Sequence, residues 1–364
     1  MSKTLASFLV RNITYPLWML KDGDRRVLNY ISRFDFVSGL GRGELIQLQF
    51  SSLKETLSYA YEKTPYYRKL FDDAGVSPAK MKDAGDIRRL PLLTKDVIRS
   101  NFNGIKAEGI NPASVTRATT GGSTGTPLEF LRDKESLFLR KGQELFFDRW
   151  MGYDIGDKVA LFVASSHFTG RAERLKARIR NFTCERMLAF DPHHITDDYM
   201  EAFANAFRRF KPSMIKCFPN SLAIFADFVK RKGIELEPVG VISATGESLY
   251  PEQRSLFEKT FGGKVFEKYG TRESGVIACE CREHKGLHLF TEGAYLELIK
   301  DDGSPAAKGE TGRIVVTDLF NRAMPLIRYE IGDMAVDSGG RACQCGSALP
   351  LVDRILGRDR DIIT

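Results

Sequence analysis

From residue 159 onward, runs of β-favouring apolar residues alternate with helical patterns, and this alternation leaves few folds open. The runs cover 159–163, 214–218, 239–243 and 264–267, and amphipathic helical spacing fills 195–210, 219–232 and 251–262. Strands that each follow a helix run parallel, because only a crossover returns the chain to the same sheet edge. The spacing therefore predicts an α/β fold with a mainly parallel, helix-covered sheet. After Gly286 the helical patterns cease, and 287–290, 294–300, 312–319 and 325–329 read as short strands with Gly/Asp turns. They predict a smaller, antiparallel β lobe. Upstream, 44–63 has helical spacing up to Pro65, which is expected to stop it, and 95–101 is a second helix candidate. The expected divisions are a helical segment over 1–92 packing on the body, an α/β core over 93–285 and the β lobe over 286–356. No internal repeat or low-complexity tract is present.

The stretch Thr119-Thr120-Gly121-Gly122-Ser123-Thr124-Gly125-Thr126-Pro127 interleaves glycines with hydroxyl side chains. Glycine lets backbone N–H groups turn toward an anion at close range, and hydroxyls add donors for phosphate oxygens. A Walker A loop would need Gly-Lys-Ser/Thr opening a helix, whereas Pro127 here precedes a strand-like Leu128-Glu129-Phe130-Leu131. A phosphate loop inside a hairpin is the expectation. A net charge of +7 suits anionic ligands.

Two further motifs follow strands of the alternating region, where open α/β sheets bind ligands beyond their carboxyl ends. They are Ala244-Thr245-Gly246-Glu247-Ser248-Leu249 and Lys268-Tyr269-Gly270-Thr271-Arg272-Glu273. Glycine would admit a planar base, Tyr269 would stack or touch the ligand, Thr271 can donate to phosphate, and Glu273 offers oxygen to Mg²⁺. In Arg328-Tyr329-Glu330-Ile331-Gly332-Asp333, Asp333 at a strand-to-turn position can accept from ribose hydroxyls, and Gly357-Arg358-Asp359-Arg360-Asp361 forms a last motif. Ser165-Ser166-His167-Phe168 and Phe218-Pro219-Asn220-Ser221 are candidate borders of an acid pocket, and His193-His194 reads as a loop before a helix.

The cysteines suggest a metal. Cys279, Cys281, Cys343 and Cys345 occur with His284 and His288, and tetrahedral zinc commonly takes thiolates with imidazole. Cys281, His288, Cys343 and Cys345 can close a structural site, with His284 or Cys279 as alternates. The cysteine pattern suits a reducing compartment better than a disulfide framework, and the cytoplasm is the expected location. No apolar stretch reaches the ~20 residues a membrane span needs. The apolar 15–20 segment could rest on a membrane surface or pack on the body, and is read as packing; the basic 171–180 segment is read as a solvated helix face in preference to a nucleic-acid or membrane contact, since no nucleic-acid module accompanies it.

In their order and separations, TTGGSTGTP, ATGESL, YGTRE, RYEIGD and GRDRD resemble the core motifs of adenylate-forming enzymes. Tyr61-Glu62-Lys63-Thr64-Pro65-Tyr66-Tyr67-Arg68 and Leu90-Pro91-Leu92-Leu93-Thr94-Lys95 make the chain similar to the phenylacetate-CoA ligase branch, with its CapK and coenzyme F390 synthetase-like members. The resemblance extends from about residue 53 to 361. It implies that Thr120, Gly121, Gly122, Ser123, Thr124, Gly125 and Thr126 hold ATP phosphates, that Thr245, Gly246 and Glu247 line the adenine pocket, and that Tyr269, Gly270 and Thr271 contact base and α-phosphate. By the same resemblance Glu273 holds Mg²⁺, Asp333 binds ribose, Arg358 approaches ribose or phosphate, and Asp361 sits at the family's hinge, over 357–364. Thr124, Thr271 and Glu273 would be the catalytic set.

The implied reaction joins a small carboxylic acid to ATP as an acyl-adenylate, releasing pyrophosphate, before a thiol such as coenzyme A takes the acyl group. Leu128 stands where many relatives have a basic residue. The family's C-terminal lid is not found before Thr364, which implies a fragment or a lidless form with weak catalysis of its own. Adenylyl transfer to a cofactor hydroxyl and nucleotide binding without turnover stay open as alternatives, as does a homodimer.

Overall fold

The computed structural model describes residues 5–120, 127–163 and 171–358. Among these, the strands in chain order are β1 (Val115–Thr119), β2 (Glu129–Asp133), β3 (Val159–Phe162), β4 (Met187–Ala189), β5 (Met214–Cys217), β6 (Val241–Thr245) and β7 (Lys264–Thr271). They continue with β8 (Gly275–Glu280), β9 (Leu287–Leu289), β10 (Ala294–Ile299), β11 (Thr311–Asp318), β12 (Tyr329–Asp337) and β13 (Leu351–Arg358). The chain divides into two compact units. One comprises Met1–Asn29, Glu144–Lys268 and Glu280–Arg282, and the other Tyr30–Gln143, Tyr269–Cys279 and Glu283–Thr364.

In the first unit the strands lie in the order β4-β3-β5-β6-β7, with every pairing parallel. From β3 the chain passes to β4 and then returns to β5 on the other side of β3. In open α/β sheets such an order reversal marks where ligands bind, beyond the carboxyl ends. The helices Asp197–Phe210, Pro219–Lys232 and Pro251–Phe261 make the crossovers, as their spacing predicts. Thr196 caps the first by accepting from the Tyr199 N–H at 3.3 Å, and its apolar stripe buries Met200, Phe203, Ala204 and Phe207. These join Phe162, Phe190 and Phe225 in an aromatic cluster with ring centroids 5.0–5.7 Å apart for Phe162, Phe190, Phe203 and Phe225.

Two strand boundaries differ from expectation. Val239 and Gly240 donate to Phe261 and Ser213 carbonyls, outside the ladder, so β6 starts at Val241 and runs through Thr245. Lys268-Tyr269-Gly270-Thr271 prolongs β7 and does not form a turn after it. Gly270 does not break the strand, because its missing Cβ leaves room for the Gly275 carbonyl and the Val276 backbone.

In the second unit β1 and β2 pair antiparallel, Thr119 opposite Glu129, so the expected hairpin flanks the glycine-rich loop. A second antiparallel set runs β10-β11-β12-β13-β9. The expected strand at 325–329 is absent, and β12 begins at Tyr329. Residues before it are held individually: Tyr67 Oη donates to the Pro325 carbonyl at 2.9 Å and accepts from the Ile327 N–H at 3.1 Å, and Arg328 is left-handed with φ 51°. Strand β13 was not anticipated and carries Gly357 and Arg358, the start of the stretch read as a hinge.

The expected helix at 44–63 spans Arg42–Lys63. Pro65 opens another helix, Pro65–Asp73, at whose first position its missing N–H is harmless, and Thr64 caps it by accepting from the Tyr67 N–H at 3.3 Å. The helix Lys134–Trp150 was not read from the sequence; its aromatic residues fall on several faces and blur the period.

Candidate active site

Residues Gly121, Gly122, Ser123, Thr124, Gly125 and Thr126 lie outside the described residues, but their stem does not. Thr120 closes it twice: its N–H donates to the Leu128 carbonyl and its Oγ1 accepts from the Leu128 N–H, both at 2.9 Å. The Thr120 hydroxyl therefore builds the loop's base. Arg272 Nη1 donates to the Thr119 carbonyl at 3.0 Å, tying the hairpin to the turn that carries Glu273.

That turn is held from below by Arg140 of the helix Lys134–Trp150. Its guanidinium donates to the Arg272 carbonyl at 3.1 Å and to the Glu273 carbonyl, and it pairs with Asp318 Oδ2 at 2.6 Å. Burial pushes the Asp318 carboxyl up while Arg140 pulls it back. Thr271 Oγ1 accepts from the Ser274 N–H at 3.0 Å, closing the turn. The Glu273 side chain is buried and accepts through Oε1 from Tyr329 Oη at 3.0 Å. Burial, reinforced by the Glu273 charge, raises the Tyr329 phenol, so this hydroxyl keeps its proton and donates. No Lys or Arg among the described residues forms a salt bridge with the Glu273 carboxylate. A buried carboxylate oxygen of this kind is a donor suited to a hard divalent ion.

Asp333 lies within β12, not at a strand-to-turn position. Tyr269 Oη donates to its Oδ2 at 2.7 Å, and Arg358 Nε pairs with Oδ1 at 3.1 Å across the β12/β13 register. Burial, then Asp333, holds the Tyr269 phenol well above its ordinary range. Arg358 also donates to the Ile331 carbonyl at 2.9 Å. The stem of Thr120, the turn of Thr271 and Glu273, and the Tyr269-Asp333-Arg358 chain thus belong to one bonded framework.

The upstream motifs explain how Tyr329 is placed. Leu93 of the 90–95 segment donates to the Arg328 carbonyl at 2.9 Å and accepts from the Glu330 N–H at 3.0 Å, gripping the residue between them. Arg328 is anchored by Glu297, with Nε–Oε2 3.0 Å and Nη2–Oε1 3.2 Å. Tyr329, Arg140, Asp318 and the Arg328/Glu297 pair were not identified from the sequence. The RYEIGD motif contained Tyr329, yet nothing local signals a partner in another motif.

In the first unit, Thr245 ends β6 opposite Lys268 of β7. Gly246 has φ +79°, and a Cβ there would lie 2.5 Å from the Phe218 ring. Only glycine fits between this turn and the Phe218 ring. Glu247 Oε2 accepts from the Asn220 N–H at 3.0 Å, which sets a carboxylate on the N-terminus of the helix Pro219–Lys232. Phe218 and Asn220 thus support the Gly246-Glu247 turn. The same unit holds an unanticipated ionic group. Lys216 Nζ is 2.5 Å from Asp148 and 3.1 Å from Glu144, and Lys268 Nζ is 2.8 Å from Glu144. Lys268 and then Lys216 hold the Glu144 carboxyl well below its ordinary range. Ser165, Ser166, His167, Phe168 and Asp361 lie outside the described residues, and His194 merely pairs with Asp191 at 3.0 Å in an exposed turn.

The metal-ligating candidates cluster as expected. Donor atoms of Cys281, His288, Cys343 and Cys345 lie within 4.8 Å of one another. His288 Nδ1 sits 3.1 Å from the Leu349 carbonyl and Nε2 3.4 Å from Cys345 Sγ, so the first donates and the second is left as ligand. Burial lowers the His288 imidazole, which favours its neutral, ligating form. Gly346 takes φ 85° and Ser347 N–H points at Cys345 Sγ at 3.5 Å, folding the Cys343-Gln344-Cys345 turn. His284 and Cys279 are not in the set. None of the six cysteines is in a disulfide, and no described helix is long and apolar enough to cross a membrane.

No family model matches the chain. It is similar to the phenylacetate-coenzyme A ligase of Thermus thermophilus, 27% identical over 89% of this chain and 72% of the relative, and to that of Escherichia coli K12, 28% identical over 91% and 75%. Protein CapK of Staphylococcus aureus is 22% identical over 88% of this chain and 69% of its own length. Among solved structures, an open conformation of 2-hydroxyisobutyryl-CoA ligase, in complex with 2-HIB-AMP and CoA, superposes with a TM-score of 0.73, covering 90% of this chain and 78% of that one at 19% identity. At that identity it shows the shared fold.

Proposed function

We propose that this chain, which belongs to the adenylate-forming superfamily and within it to the phenylacetate-CoA ligase and CapK-like branch, activates a carboxylic acid with ATP as an acyl-adenylate. Coenzyme A is the proposed acceptor, in keeping with the names of the relatives. The observation that carries this reading is the bonded framework joining the phosphate-loop stem, the Glu273 turn and the Tyr269-Asp333-Arg358 chain.

In this reading the ionised substrate carboxylate attacks the α-phosphorus, a C–O–P bond forms, and the bond to the leaving pyrophosphate breaks. The nucleophile already carries its charge, so no general base is needed. The demand falls on fixed donors where charge develops on phosphate oxygens. The loop residues Thr120 to Thr126 supply hydroxyls and N–H groups, and Thr271 adds its hydroxyl. Asp333, oriented by Tyr269 and Arg358, accepts from the ribose. Thr245, Gly246 and Glu247 border the adenine. Glu273 is the proposed Mg²⁺ ligand, the bound cation offsetting phosphate charge, while Tyr329 and Arg140 fix its carboxylate and backbone. Cys281, His288, Cys343 and Cys345 are the proposed ligands of a structural zinc, a closed shell with no open position for substrate.

Pyrophosphate release, measured over a panel of aryl, fatty and hydroxy acids, tests the reading. Release that depends on both ATP and one class of acid is expected. ATP binding with no acid-dependent release across the panel would reduce the chain to a nucleotide-binding module.

A further inference from the structure

The unit containing the parallel sheet presents an apolar face that the catalytic reading leaves unused. Its N-terminal helical stretch runs Leu5–Leu9, Val10–Thr14 and Tyr15–Asp22, and buries Ser7, Val10, Tyr15 and Met19. On the other side Leu5, Phe8, Leu9, Ile13, Leu17 and Leu20 are 41–75% exposed at three- and four-residue spacing. A second stripe lies on Arg171–Arg180 and the turn after it: Leu175, Ile179 and Phe182 are 61%, 50% and 84% exposed.

The two helical segments are neighbours. Trp18 Nε1 donates to Thr183 Oγ1 at 3.0 Å, the Thr14 hydroxyl donates to the Thr183 carbonyl, and Arg180 pairs with Asp22. Large exposed side chains gathered this way exceed the scattered apolar residues of an ordinary surface. Cations sit among them. Lys21 follows Leu20 and lies 4.7 Å over the Trp18 ring. Lys176 and Arg178 are exposed between Leu175 and Ile179 and pair with no carboxylate among the described residues.

We propose that this face docks on an anionic lipid bilayer, with the apolar stripes at the acyl boundary and Lys21, Lys176 and Arg178 on headgroup phosphates. An amphipathic surface with cations beside its apolar residues lies in the interface plane and gains from both terms. A second copy is a poorer occupant, because a twofold contact would gather Lys21, Lys176 and Arg178 of both copies into one interface. An anionic leaflet supplies the opposite charge.

Sedimentation of the full chain with phosphatidylcholine vesicles, with and without phosphatidylglycerol, tests the proposal. Partition onto the anionic vesicles, weakened by salt and by omission of phosphatidylglycerol, is expected. Phe8→Glu with Phe182→Glu should lower the partition coefficient by about tenfold or more, since each ring is worth over ~1 kcal/mol when buried. Both positions are exposed, so an unchanged circular dichroism spectrum accompanies the loss. Lys176→Glu with Arg178→Glu should remove the dependence on anionic lipid. The proposal is overturned by wild-type chain that stays in the supernatant, by unchanged partition of the Phe8/Phe182 variant, or by a dimer in solution that this variant dissociates.

Discussion

Gly246 shows how a residue singled out from its motif acquires a packing reason from its neighbours. Glycine in ATGESL suggested close approach to a flat ligand, and the structure adds that a Cβ there would meet the Phe218 ring while the backbone sits at φ +79°. A side chain would meet both obstacles, so Gly246→Ala is expected to destabilise the chain by about 1–3 kcal/mol, from left-handed strain and overpacking together. Urea unfolding measures it, and Phe218→Leu in the same chain should return the steric part. An unchanged midpoint for Gly246→Ala would contradict the packing account. Asp333 and Glu273 were singled out from the sequence because each is a carboxylate in a glycine-containing motif. Tyr329 was not, since its value comes from meeting Glu273 at 3.0 Å across a long separation in sequence.

At the scale of elements, the alternation of β5, β6 and β7 with helices was legible because a parallel sheet writes its period into the sequence. The extent of β7 was not, because Gly270 resembles a turn residue until its neighbour's carbonyl is seen beside it. Strand β7 also carries an electrostatic burden. Glu280 accepts from Arg254 Nη2 through both oxygens, at 2.9 and 3.0 Å, and from the Glu267 N–H at 2.8 Å, so the Glu267 carboxyl faces a like charge. Burial, then Glu280, pushes Glu267 up to about 7. A carboxyl whose folded value is raised binds more protons in the folded state, so stability falls as pH climbs from its ordinary value of 4.5 through about 7. Glu267→Gln should abolish that decline and unfold at higher denaturant than the parent at pH 8, while differing little at pH 4. Equal slopes with pH in both proteins would refute the assignment. The turn between β12 and β13 yields a separate expectation: purified chain carries one zinc per chain, and Cys343→Ser or Cys345→Ser loses metal and stability together, because metal binding there is folding free energy. Elemental analysis with thermal unfolding checks it, and a stable, metal-free parent would dismiss the site.

For the whole molecule, fold class followed from the order of strands and helices, while the division into two units did not. Each unit gathers segments distant in sequence, such as Met1–Asn29 with Glu144–Lys268, and long-range docking leaves little mark on local periodicity. The N-terminal motifs show the same limit. Tyr67 and Leu93 looked like family signatures without a physical task until their bonds to 325–330 were seen. The functional reading has a consequence for the stability of the entire chain, because any ligand that binds the folded state alone shifts unfolding by mass action. ATP with Mg²⁺ at a hundredfold above its dissociation constant should stabilise the chain by about 2.7 kcal/mol. ATP with a chelator should give less, since the cation then contributes nothing to phosphate binding. Glu273→Gln preserves shape and keeps an oxygen to accept from Tyr329, yet removes the charge that holds the cation. In that variant the shift with Mg²⁺ should fall to the chelator level while the unliganded midpoint changes little. Scanning calorimetry over a matrix of nucleotide and metal separates these terms. A Glu273→Gln chain that retains the full Mg²⁺-dependent shift would show that the cation is held elsewhere.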